Sequence, residues 1–76
     1  MSYSLIIPIY NEHKSLPTLL KRLNNLPNNI EIIIVDDGSS DETSLILKNN
    51  TSRINILRNN KNFGKGYSIK RGVKHS

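Results

Sequence analysis

The sequence predicts an α/β fold: a parallel, Rossmann-like sheet in a three-layer arrangement, built in the order βαβαβα. Three observations predict it. Apolar runs of strand length alternate with stretches of helical periodicity along all 76 residues. The runs at residues 5–7 and 32–35 are continuous rather than alternating, as in strands covered on both faces. Each strand gives way to a loop rich in Asn, Asp, Gly or Ser and then to a helix. Two right-handed crossovers follow, and all three strand-to-helix loops open on one edge of the sheet.

The first strand is read over residues 4–10. Pro8 has no amide hydrogen, so the ladder is expected to stop or loosen there and free the backbone near Ile9. Tyr10, Asn11 and Glu12 follow as an aromatic, an amide and a carboxylate on a loop; Tyr10 reads equally as a partly buried core aromatic, and Glu12 as a first-turn acid. Ser15 is an N-cap candidate, and Pro17 fits the first turn of a helix over residues 16–24. Leu16, Leu19, Leu20 and Leu23 form its apolar stripe, and Leu26 is placed to plug its end.

The second strand centres on Ile32 to Val35 and ends in Asp36, Asp37 and Gly38. Ser39, Ser40 and Asp41 are cap candidates, and Ser39 with Glu42 fits a capping box. The acid pair either reaches a ligand at the strand's carboxyl end or merely caps and solvates that end. A second helix is read over residues 41–48, with Leu45 and Ile46 inward, broken by Asn49 to Ser52. The third strand, residues 54–58, is short and polar and belongs near an edge. Beyond it, Gly64-Lys65-Gly66 leads into a third helix over residues 67–74 with Ile69 and Val73 inward. Glycines before a helix let amide groups approach an anion, although the spacing is not that of a Walker loop and Gly-x-Gly also serves simple turns.

Composition narrows the function classes. The chain has no cysteine, which removes disulfide frameworks and thiolate metal sites. No apolar run approaches the roughly 18 residues of a membrane span, and the start does not read as a signal peptide, so a cytoplasmic location is expected. The net charge is +5, and no acid follows Glu42. That basic half reads as a solvated face more readily than as a nucleic-acid surface, since no aromatic platform lies on a strand; Lys65, beside the glycines, is the exception, positioned to meet a diphosphate. Together the three loops bring acids and an aromatic suited to a base and ribose beside glycines and a lysine suited to phosphates. Residues alone thus describe half of a nucleotide-binding fold.

Three motifs carry a more specific resemblance: Ile7-Pro-Ile-Tyr-Asn-Glu12, Ile34-Val-Asp-Asp-Gly-Ser-Ser-Asp-Glu-Thr43 and Asn60-Lys-Asn-Phe-Gly-Lys-Gly-Tyr67. In order and spacing they resemble family 2 glycosyltransferases, most closely the dolichyl- or polyprenyl-phosphate sugar transferases, over nearly the whole chain. The resemblance implies the A-type glycosyltransferase fold, of which residues 1–76 would be the N-terminal nucleotide-binding half. It implies a GDP- or UDP-sugar donor, with Pro8, Tyr10 and Glu12 at the nucleoside, Asp37 accepting a hydrogen bond from the base, Asp36 buttressing the turn, and Gly64 and Lys65 alongside the nucleotide. It also implies a divalent metal, Mn²⁺ or Mg²⁺, and a role in cell-envelope glycan synthesis at the cytoplasmic membrane face for a longer parent. The family's Asp-x-Asp metal motif and catalytic base lie beyond the third βα unit, so no metal ligand or catalytic residue is assignable, and this chain alone is not expected to turn over. No nucleic acid or membrane segment is expected. The first strand, lacking a neighbour on one side, is expected to drive self-association, and a non-catalytic module that pairs through that edge is the alternative reading.

Overall fold

The computed structural model describes residues 3–48 and 53–76. Its elements run β1 (Tyr3–Ile9), α1 (Leu16–Asn24), β2 (Ile30–Asp36), α2 (Thr43–Lys48), β3 (Asn55–Arg58) and α3 (Lys65–His75). The expected break at Asn49 to Ser52 lies outside the described residues. The strands are parallel and ordered β1-β2-β3.

The β-branched run of β2 explains its central place, since Ile32, Ile33, Ile34 and Val35 are all buried. Alternation along the strands divides them between two faces. On one face Ile9, Ile32 and Ile34 meet Leu16, Leu20 and Leu23 of α1 and Leu47 of α2. On the other, α3 lies across β1 and β2. There Gly72 sits so close that a Cβ would fall 2.4 Å from Ile6 Cγ2 and 3.4 Å from Val35 Cγ2.

Several local expectations are corrected. The ladder does not stop at Pro8: Pro8 pairs with Val35 and Ile9 with Asp36. The Tyr3 amide donates to Asn29 O and the Asp37 amide to Ile9 O, so odd residues of β1 face β2. The Pro8 nitrogen therefore points to the outer edge, where its missing hydrogen breaks no bond to β2. In α2 Ile46 packs against the core as expected, but Leu47 is the buried residue and Leu45 is exposed. In α3 the inward residues are Ser68 and Gly72, whereas Ile69 and Val73 are exposed. The capping box is not formed. Ser39 Oγ instead accepts from the Asn11 amide, and Asp41 Oδ1 accepts from the Thr43 amide at the start of α2.

Candidate functional site

The three loops at the carboxyl ends of the strands are tied to one another before any ligand is considered. Asn11, held at φ 51°, accepts from the Ser40 amide through Oδ1 at 2.9 Å and donates its own amide to Ser39 Oγ at 3.0 Å. The Glu12 amide donates to Thr43 Oγ1 at 3.0 Å. His13 Nδ1 lies 2.6 Å from Asp41 Oδ2. Burial raises the Asp41 carboxyl, but bonds from Thr43 and His13 outweigh it and hold the group below the usual aspartate range. The first loop is thus stitched to the second.

Asp36 and Asp37 diverge. Asp36 faces away from the first loop: Oδ1 accepts from the Ser39 amide at 3.0 Å, Oδ2 accepts from Ser44 Oγ, and Arg58 stands 3.6 Å away. Its role is to brace the turn and the start of α2. Asp37 reaches toward the third loop. Its Oδ1 accepts from Asn59 Nδ2 at 2.8 Å and the Phe63 amide at 2.9 Å, and its Oδ2 accepts from the Gly64 amide at 2.9 Å. Burial pushes Asp37 up, yet bonds from Phe63, Asn59, Gly64 and Ser68 prevail, and the carboxyl lies below its ordinary value. Asn59, Phe63, Gly64 and Ser68 thus engage both oxygens of the carboxylate.

Gly38, at φ 74°, allows this convergence. A Cβ there would lie 2.4 Å from the carbonyl carbon of Lys61, so only glycine lets the second and third loops touch. Gly64, at φ 98°, turns the chain into α3.

Between the loops lies a cleft of about 280 Å³ lined by Pro8, Ile9, Tyr10, Glu12, Asp37, Asn62, Gly64 and Lys65. Six of the seven residues expected at a nucleotide are brought to it. The seventh, Asp36, is not: it borders a larger hollow of about 500 Å³ between α2 and β3. Sequence reasoning missed Asn62 and Ile9 in the lining and the buried Asn59 and Ser68 behind Asp37. Their one signal was position: Asn59 is the first residue past a strand, and Ser68 lies one turn before Gly72.

The cleft offers an apolar floor, an aromatic side chain, two carboxylates, and a lysine that is the first residue of α3. That set suits a nucleoside diphosphate. It does not suit a metal. Among the described residues no three His, Asp or Glu side chains converge, and the adjacent acids point into different hollows with their oxygens engaged.

Comparison with known proteins bears directly on this arrangement. The family model described as glycosyl transferase family 2 matches residues 4–76. The chain belongs to that family. As a family 2 glycosyltransferase chain it is 40% identical over 84 residues to a dolichyl-phosphate beta-glucosyltransferase of Dictyostelium discoideum, covering 92% of this chain and 26% of the relative. It is 39% identical over 80 residues to an undecaprenyl-phosphate 4-deoxy-4-formamido-L-arabinose transferase of Enterobacter sp. (strain 638), covering 95% and 24%. Among solved structures, S. aureus TarS 1–349 in complex with UDP-GlcNAc superposes with a TM-score of 0.85 at 29% identity, over 100% of this chain and 24% of that one. The mannosyltransferase PcManGT of Pyrobaculum calidifontis, solved with GDP-Man and Mn²⁺, shares the fold at TM-score 0.87 and 20% identity, over 97% and 24%. The chain thus spans about a quarter of the length of these relatives.

Proposed function

We propose that this chain is the nucleotide-sugar-binding part of a hexosyltransferase whose acceptor is a polyprenyl phosphate or a glycan, and that by itself it binds the donor nucleotide without turning it over. The observation that carries the reading is the convergence of Tyr10, Glu12, Asp37, Gly64 and Lys65 on one cleft at the carboxyl edge of a parallel sheet. Tyr10 stacks on the base, the Asp37 carboxylate faces a base N–H, and Lys65 meets the diphosphate. Glycosyl transfer further needs the departing diphosphate neutralised and the acceptor hydroxyl deprotonated, and among the described residues no three His, Cys, Asp or Glu side chains converge to hold a metal for the first task. A divalent metal, as in the PcManGT complex, is accordingly assigned to a longer parent.

Calorimetric titration with GDP and with UDP, each with and without Mn²⁺, tests the proposal. Binding of one nucleotide, little changed by Mn²⁺ and weakened roughly tenfold in Tyr10→Ala, is the expected result. No binding by a folded chain would overturn it.

One observation favours a second reading, self-association. Among the described residues β1 is an outer strand, with the Ser4 and Ile6 amides turned outward beside partly exposed Leu5. Sedimentation at several concentrations should then show dimers in the wild type and fewer in Ser4→Pro, which removes an outward donor. A monomer at every concentration would exclude this reading.

A further inference from the structure

The donor cleft leaves one contiguous surface without a role. Tyr67, Lys70, Arg71 and Lys74 recur at i, i+3, i+4 and i+7 along α3 and border a hollow of about 190 Å³. A second hollow, of about 320 Å³, continues past Tyr67 and Phe63 to Arg58 and Asn60, beside the rim of the cleft. The Phe63 and Tyr67 rings stack at 4.5 Å with 30° between planes, and both are exposed. Lys61 Nζ stands 5.2 Å from the Phe63 centroid. Arg71 is fixed through Nη1 by Arg58 O at 2.7 Å and Asn59 Oδ1 at 2.6 Å, which leaves its other nitrogens for a partner. Among the described residues none of Lys61, Lys70, Arg71 or Lys74 has a carboxylate within salt-bridge reach. Like charges one helical turn apart repel, so this stripe lowers helix stability until an anionic partner covers it.

We propose that the stripe docks the chain on an anionic membrane surface. Lys70, Arg71 and Lys74 take lipid phosphates, and the Phe63–Tyr67 pair sits at headgroup depth. The aromatic geometry favours lipid over nucleic acid. A base-stacking platform needs a free ring face, and Phe63 has one face on Tyr67 and a lysine over the ring. Because Asn62 and Gly64 flank Phe63 in sequence and line the cleft, docking brings the rim of the cleft to the lipid surface. The proposal goes beyond donor binding and does not depend on it.

Flotation of the full chain with phosphatidylcholine vesicles, with and without phosphatidylglycerol and with no nucleotide present, tests it. Binding should require phosphatidylglycerol and fall as salt rises. With about a fivefold contribution from each lysine at such a surface, Lys70→Ala/Lys74→Ala should bind roughly 30-fold more weakly. The charge-matched control on the other face, Lys14→Ala/Lys21→Ala, should change far less, and circular dichroism of each variant checks folding. A folded wild-type chain that ignores phosphatidylglycerol overturns the proposal, as does equal weakening by the two double variants. Displacement by inorganic phosphate at matched ionic strength, or by a polynucleotide that needs the same lysines, would reassign the stripe to a small anion or to nucleic acid and equally overturn it.

Discussion

Asp36 and Asp37 are adjacent in sequence and opposite in use, and the difference follows from strand alternation. One carboxylate braces α2 through Ser44, while the other gathers the amides of Phe63 and Gly64. Because the folded Asp37 carboxyl lies below the unfolded value of about 3.9, its stabilisation is present above that pH and is lost as pH falls through the folded value. Asp37→Asn should therefore flatten the loss of stability below about pH 4 in acid titrations followed by circular dichroism; an unchanged acid limb would argue against the role given to Asp37. Asp41, also lowered, should leave a residual slope. The two glycines separate in the same way. Gly38→Ala suffers both a left-handed φ and a backbone clash, and should cost about 3 kcal/mol or more. Gly64→Ala meets nothing within 4 Å and should cost only about 1–2 kcal/mol for its conformation, measurable in urea melts. The acid pair and the glycines were legible from residue type and spacing. Which acid faces the cleft came only from the family resemblance, because residue type and spacing do not carry the strand's rotation against its neighbours.

At the scale of elements, the helices show where periodicity succeeds and where it misleads. The leucine stripe of α1 is buried as its spacing implies. In α3 the apolar residues are exposed because the helix packs through its smallest side chains, and apolar periodicity carries no record of how closely two backbones approach. The Ile6–Gly72 contact makes this testable. Gly72→Ala gains roughly 1 kcal/mol of helix propensity yet should destabilise, and Ile6→Ala should relieve part of that loss, giving a double-mutant coupling of roughly 1 kcal/mol. Arg53 was another residue the sequence could not place. Its guanidinium donates to the carbonyls of Leu23, Leu26, Pro27 and Ile30, closing the end of α1 and its return to β2. Arg53→Gln should cost about 2 kcal/mol by chemical denaturation, since charge-assisted bonds to several carbonyls are lost together.

For the molecule as a whole, the order of elements and the crossovers were legible, because each apolar run is punctuated by turn residues. The closeness of the second and third loops was not: it rests on Asn59, indistinguishable in a run of asparagines, and on Ser68 within a helix. The sheet order β1-β2-β3 also has a consequence for how the chain is made. Among the described strands, β2 pairs with β1 and β3 with β2, each with the strand synthesised just before it. The loop-closure entropy of each step stays small, and β2 can settle on β1 while β3 is still to come. A cleft assembled from consecutive loops is then complete once α3 has emerged.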